Sequence, residues 1–127
     1  MARKIKDVMT IAPHTIGIDQ PLTMADEMMR EFRIRHLPVQ KRGALVGIIT
    51  DRDVKLASTF EGIGKLRVED VMLPDPYTVQ EDASLGEVAK KMAEHKLGCA
   101  IVLDSAGKVS GIFTAVDGLR LLAESLS

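Results

Sequence analysis

Gly47-Ile48-Ile49-Thr50-Asp51-Arg52-Asp53 returns later in the chain as Gly111-Ile112-Phe113-Thr114-Ala115-Val116-Asp117. Each stretch is a glycine and two apolar residues closing on a threonine, with an aspartate three positions on. A short apolar run ending in a polar residue reads as a buried strand. Thr-x-x-Asp is the mark of a helix that begins where the strand stops. The chain is therefore expected to contain, twice, a strand that opens directly into a helix.

Working outward, the likeness extends over the whole chain. At an offset of 63 residues, Asp7-Val8-Met9 falls on Asp70-Val71-Met72, Pro13 on Pro76, Thr15 on Thr78, Asp19 on Asp82, Leu22 on Leu85, Met29 on Met92 and Val39 on Val102. One extra residue then moves the offset to 64, which aligns Gly47-Ile48 with Gly111-Ile112, Thr50 with Thr114 and Asp53 with Asp117. Unrelated segments of equal pattern share apolar positions, not threonines and aspartates, so an internal duplication is the preferred reading. Its copies are expected at residues 1–64 and 65–127.

Each copy reads β-α-β-β-α. A short apolar turn at Asp-Val-Met precedes a brief strand, Thr15 to Ile18 or Thr78 to Gln80. Asp19 and Asp82 are expected as helix N-caps, with Pro21 in the first turn. Leu22, Ala25, Met29 and Phe32 recur at helical spacing, as do Leu85, Val88 and Met92. A strand at His36-Leu37-Pro38-Val39 turns at Lys41-Arg42-Gly43 into Ala44 to Thr50. Its counterpart runs from Cys99 to Leu103, turns at Asp104 to Gly107 and returns from Lys108 to Thr114. Closing helices are expected from Asp51 to about Thr59 and from Ala115 to about Ser125. A unit of this size buries too little surface to be comfortably stable alone. The fold class expected is α/β (α+β), with two tandem repeats packed as a pseudo-two-fold pair.

Composition narrows the function. The 127 residues carry a net charge of −1 and no Trp, so the core rests on aliphatic residues and seven Met, an adaptable filler. Neither half has the basic excess of a duplex nucleic-acid binder. The basic run Arg30, Arg33, Arg35, Lys41, Arg42 lacks interleaved aromatics and reads as a solvated face rather than a nucleic-acid patch. A single cysteine, Cys99, excludes an internal disulfide and fits a reducing compartment. The start at Arg3-Lys4 leads into no apolar run, and the longest such run, Gly43 to Ile49, is too short for a membrane helix. A cytoplasmic protein with no membrane and no nucleic-acid partner is expected.

The repeated Thr-x-x-Asp admits two readings. As a capping box, the threonine accepts a first-turn N–H and the carboxylate sits at the positive end of the helix. As a ligand site, the helix start offers N–H donors to a phosphate, and the carboxylate accepts two hydroxyl donors from a ribose diol. One side chain can serve both.

The duplicated Asp-Val-Met start, the Leu37-Pro38-Val39 strand and the Gly-apolar-apolar-Thr-x-x-Asp end together resemble a tandem pair of cystathionine-β-synthase (CBS) domains, a Bateman module. The resemblance covers residues 4–59 and 67–125. It implies a regulatory module that binds an adenosine-containing ligand such as AMP, ADP, ATP, S-adenosylmethionine or NAD, with no catalysis and no catalytic cofactor. It implies that Asp53 and Asp117 hold a ribose, with Thr50 and Thr114 near the ribose or phosphate. It also implies walls from the sister copy, with Ile34, Arg35 and His36 facing Thr114 and Asp117, and Leu97, Gly98 and Cys99 facing Thr50 and Asp53. Thr15-Ile16 and Thr78-Val79 complete them. A homodimer is expected, with any output passing in trans to a protein partner. The alternative is a dimerisation or interaction module whose clefts bind nothing.

The copies differ where a phosphate would lie. Arg35-His36 becomes Gly98-Cys99, and Arg52 becomes Val116. Arginine suits phosphate, so two unequal sites are expected, with Arg35 and Arg52 as plain surface charges the competing reading. His14, His36 and His95 lack metal-ligand spacing. Cys99 is expected as a small apolar filler. No nucleophile elbow, Walker loop or dinucleotide fingerprint is present.

Overall fold

A computed structural model describes residues 3–60 and 62–127. Among the described residues, two four-stranded sheets carry five α-helices and two 3-10 turns. The first sheet has the order β2 (Ile16–Gly17), β3 (His36–Lys41), β4 (Ala44–Thr50), β5 (Leu73–Pro74). The second has the order β1 (Thr10–Ile11), β8 (Val109–Thr114), β7 (Cys99–Leu103), β6 (Thr78–Gln80). Helix α1 (Leu22–Phe32) makes the crossover that a parallel β2–β3 pair requires, and α4 (Leu85–His95) does the same for β6–β7. Helices α2 (Asp51–Ala57) and α5 (Ala115–Ser125) follow β4 and β8 without a break. The architecture is mixed α/β in two tandem repeats. No helix among the described residues is long and apolar enough to cross a membrane.

The chain divides into two compact units, and the division does not follow the repeat boundary. Of the described residues, those within 14–76 form one, and those within 3–13 and 77–127 form the other. Each copy thus lends its lead-in to the other. Strand β1 pairs with β8, Thr10 opposite Ile112, while β5 pairs with β4, Leu73 opposite Ile48. Ile5, in the 3-10 turn Ile5–Asp7, is fully buried with Val88, Met92, Val102 and Phe113. Its counterpart Val68, opening the short helix α3 (Val68–Val71), is fully buried with Leu22, Ala25, Met29 and Ile49. Strands β1 and β5 were not apparent in the sequence, because two residues show no alternation.

The exchange corrects the expected caps. Asp19 and Asp82 do not cap the helices; the N-caps are Pro21 and Ser84. The first N–H of α1, on Leu22, donates to Leu66 O at 2.9 Å, and that of α4, on Leu85, donates to Arg3 O at 2.9 Å. The incoming lead-in satisfies a donor that an aspartate was expected to take. Ser84 Oγ also accepts the Glu87 N–H. Along α1, Leu22, Ala25 and Met29 are buried as expected, but Phe32 is 39% exposed and stacks on His14 at 3.8 Å. Both helices end on a left-handed residue, Arg33 and Lys96, each at φ 55°. Helix α2 stops at Ala57, short of Thr59, where the Ser58 and Thr59 hydroxyls donate to Lys55 O and Leu56 O.

The turns account for the change of offset. Arg42 (φ 52°) and Gly43 (φ 80°) form a two-residue hairpin turn with both central residues left-handed. The other hairpin takes one more residue. Asp104 Oδ1 accepts the N–H groups of Ala106 and Lys108, and Gly107 (φ 80°) completes the turn, so β8 begins at Val109 rather than Lys108.

Gly47 and Gly111 are required by close approach. A Cβ on Gly47 would lie 2.8 Å from both Leu73 O and Met72 Sδ, and one on Gly111 would collide with Met9. The repeated methionine and the repeated glycine are thus two sides of one contact. Gly47→Ala is expected to cost roughly 1–3 kcal/mol in urea unfolding. Gly111→Ala should cost less, because the Met9 side chain can swing aside whereas the Leu73 carbonyl cannot.

Candidate functional site

Thr50 ends β4 and caps α2. Its N–H and its hydroxyl both donate to Asp53 Oδ2, at 3.0 and 2.7 Å, and its Oγ1 accepts the Asp53 N–H at 3.2 Å. These bonds hold a half-buried carboxylate in one orientation, and none of them uses Oδ1. In the other unit, the Thr114 N–H donates to Asp117 Oδ2 at 2.8 Å and Thr114 Oγ1 accepts the Asp117 N–H at 3.2 Å. There the outer oxygen is engaged: Arg120 Nη1 lies 3.5 Å from Asp117 Oδ1. The capping reading of Thr-x-x-Asp therefore holds in both copies, and it leaves the first carboxylate with a free face.

The strand entries lie beside these caps. His36 pairs with Thr50 across the sheet and Cys99 with Thr114. Arg35 O accepts the Asp51 N–H at 3.0 Å, and Gly98 O accepts the Ala115 N–H at 2.9 Å. The structure so brings Ile34, Arg35 and His36 together with Thr50–Asp53, and Leu97, Gly98 and Cys99 together with Thr114–Asp117. It also takes two first-turn N–H groups of each closing helix, those of Asp51 and Asp53 and those of Ala115 and Asp117. A phosphate near these caps must then depend mainly on side-chain cations.

Two hollows adjoin the caps. One, of about 440 Å³, lies between α1 and α2 and includes Ile34, Arg35 and Asp51 in its wall. The other, of about 240 Å³, is bounded by Asp117, Arg120 and the lead-in residues Arg3 and Asp7. Of the remaining expected residues, Ile16 is 4% exposed within the first core and Val79 packs on the second. Thr15 is half-buried, while Thr78 and Arg52 are exposed, and neither lines a hollow. Sequence reasoning passed over Arg120, whose position corresponds to Leu56 in the first copy. Its signal was the Asp117/Arg120 spacing of one helical turn. No group of three or more His, Cys, Asp or Glu among the described residues converges as a metal site.

The CBS domain profile matches twice, over residues 5–59 and 68–124. The chain belongs to the CBS-domain family. A CBS domain-containing protein of Dictyostelium discoideum is 35% identical over 134 residues, covering 96% of this chain and 92% of that one. An inosine-5'-monophosphate dehydrogenase of Korarchaeum cryptofilum is 37% identical over 113 residues, which is 89% of this chain but only 22% of the enzyme. The CBS domain pair of protein MJ0100, solved with 5'-methylthioadenosine and S-adenosyl-L-methionine, has a TM-score of 0.87 at 28% identity, covering 98% of this chain and 99% of that one. CBSX2 of Arabidopsis thaliana, solved with AMP, has a TM-score of 0.80 at 27% identity, covering 98% of each chain.

The two CBS repeats differ electrostatically at the strand entry. Burial holds the His36 imidazole below its ordinary value, and Arg35 adds to the effect, while Asp51 and Asp53 oppose it. The unfolded chain takes up this proton near pH ~6.5 and the folded chain only at lower pH. Stability from this group is thus present above pH ~6.5 and lost as pH falls through and below it. The drop in Tm between pH 7.5 and pH 5.5 is expected to be smaller in His36→Gln than in the wild type.

In the second repeat, Cys99 is 8% exposed and burial pushes its thiol up to about 12. At neutral pH it is a protonated apolar filler rather than a nucleophile. A thiol-specific chromogenic reagent is expected to label native protein at least ~100-fold more slowly than protein in urea, since reaction needs both thiolate and access.

Proposed function

We propose that this CBS pair is a regulatory module that binds an adenosine-containing nucleotide and signals by a change of shape or of partner. The observation that carries it is the Asp53 carboxylate, fixed through Oδ2 by two Thr50 donors and left with Oδ1 to accept ribose hydroxyls. The ligands in the solved relatives, AMP in one and S-adenosyl-L-methionine with 5'-methylthioadenosine in another, support an adenosine moiety. In this reading each carboxylate works with the strand entry beside it, Arg35 and His36 with Asp53, and Gly98 and Cys99 with Asp117. Thr15-Ile16 and Thr78-Val79 border the base. Arg52 and Arg35 make the copies unequal toward phosphate. The module carries no catalytic step of its own, works as a cytoplasmic homodimer and acts in trans on a protein partner.

A ligand that selects one of two arrangements shifts their populations by its difference in affinity, which is all the mechanism requires. Thermal-shift titration with AMP, ADP, ATP, S-adenosylmethionine and NAD tests it. A true ligand at 100 times its Kd should add about 2.7 kcal/mol of stability. Asp53→Asn keeps an oxygen for the Thr50 N–H, so the cap should survive while affinity falls about tenfold or more. Unchanged affinity in Asp53→Asn, in Asp117→Asn and in the double variant would remove both carboxylates from the site.

One observation favours a second reading, an interaction module. No residue of α5 is buried, and Val116, Leu119, Leu122 and Leu126 are 51–77% exposed. A chain that sediments as a dimer and answers none of the five ligands would support that reading instead.

A further inference from the structure

Helices α1 and α2 of the first repeat face each other across the larger hollow with matched spacing. Asp26, Met29 and Arg30 come from α1 and Arg33 from its left-handed end, and Asp51, Val54, Lys55 and Ser58 from α2 and its end. The floor is apolar and closed, with Met29 6% and Val54 3% exposed. The rim carries four cations, Arg30, Arg33, Arg35 and Lys55, against two carboxylates. Arg30 meets Asp26 at 3.0 Å and Lys55 meets Asp51 at 3.5 Å, both pairs solvent-exposed and so only weakly stabilising. Arg33 and Arg35 form no ion pair among the described residues. The carboxylates hold two of the cations at the rim, and the positive charge remains in excess.

The second repeat shows that the fold does not need these cations. The positions matching Arg30, Arg35 and Lys55 are Ala93, Gly98 and Leu119, and the carboxylates are replaced by Ala89 and Ala115. Met29 is kept as Met92, and only Arg33 keeps a positive counterpart, Lys96. Packing is preserved between the copies while the charge is not, so the packing does not require the charge.

We propose that the α1–α2 hollow of the first repeat is a binding site for a polyphosphate group. Its volume of about 440 Å³ lies within the usual range of small-ligand pockets, about 300–1,000 Å³. Guanidinium groups converge on phosphate oxygens through paired N–H donors. With Arg30 and Lys55 already paired, two cations remain in excess around one concavity, which a compact anion with several charges answers and a single carboxylate does not. The Arg35 carbonyl, bonded to the first residue of α2, joins this hollow to the Thr50/Asp53 cap. The group is therefore either the phosphate tail of a nucleotide held at that cap or a free polyphosphate. Only the first source rests on the nucleotide reading.

Isothermal titration with inorganic tripolyphosphate, ATP and AMP separates the possibilities. The variants are Arg30→Gln/Lys55→Gln, which keeps both helices well formed, and Arg33→Asn, which tolerates left-handed backbone. Arg42→Gln, outside the hollow, is the control, and the apo Tm of each variant reports its folding. A free-polyphosphate site binds tripolyphosphate in the wild type, weakens with added salt, and loses about tenfold or more in affinity in both variants but not in the control. A nucleotide-tail site shows a preference for ATP over AMP that both variants abolish while AMP affinity stays constant. Tripolyphosphate binding with no response to any nucleotide would sustain the hollow and end the nucleotide reading. Absence of tripolyphosphate binding, together with an ATP-to-AMP ratio unchanged by the variants, overturns the proposal.

Discussion

The first N–H groups of a helix have no partner within it and must be met from outside. In this chain the leading donors of α1 and α4 are met by the Leu66 and Arg3 carbonyls, which arrive on the lead-in of the opposite copy. The same crossing inserts Ile5 and Val68 into the two cores and adds β1 and β5 to the sheets. It also presses Met9 and Met72 against Gly111 and Gly47, which accounts for the repetition of both residue types. A lead-in that stayed with its own copy would leave the other with a bare edge and an unmet helix start.

The tandem architecture was legible because its strongest signals are local. Gly47 to Asp53 and Gly111 to Asp117 each spell a strand, a cap and a helix start, and the structure builds all three there. Asp19 and Asp82 were misread because capping chemistry names a residue type but not the competitor, here a carbonyl distant in sequence. The site was half legible. Threonine and aspartate announce their hydrogen bonds by spacing, whereas Arg30, Arg33 and Lys55 belong to one hollow only once α1 and α2 are packed side by side. On the sequence, Arg30 and Arg33 read as a solvated face.

Duplication also separates what the fold needs from what it tolerates. Glycine 47/111, methionine 9/72 and the Thr–Asp boxes occur in both copies and each has a steric or hydrogen-bonding reason. Arg35 against Gly98, Lys55 against Leu119 and Leu56 against Arg120 have none in the packing, since either member serves an equivalent place. Such positions are where one repeat can acquire a chemistry that its sister lacks. In the first copy the result is a positive hollow beside a carboxylate with one free oxygen. In the second, an arginine leans on that oxygen and the matching helix face, Lys96 apart, is apolar.

The exchanged lead-ins bear on synthesis of the chain. Residues 14–76 are contiguous, so that unit has all its strands once β5 has been made. The other unit pairs Thr10 with Ile112, and closing so long a loop is slow. Its lead-in is made before its partners and must wait, with Ile5 uncovered, until Val88, Val102 and Phe113 have been translated. The burden of protecting an incomplete sheet therefore falls on the lead-in that carries β1, and a pause in translation between Thr10 and Ile112 would prolong its exposure.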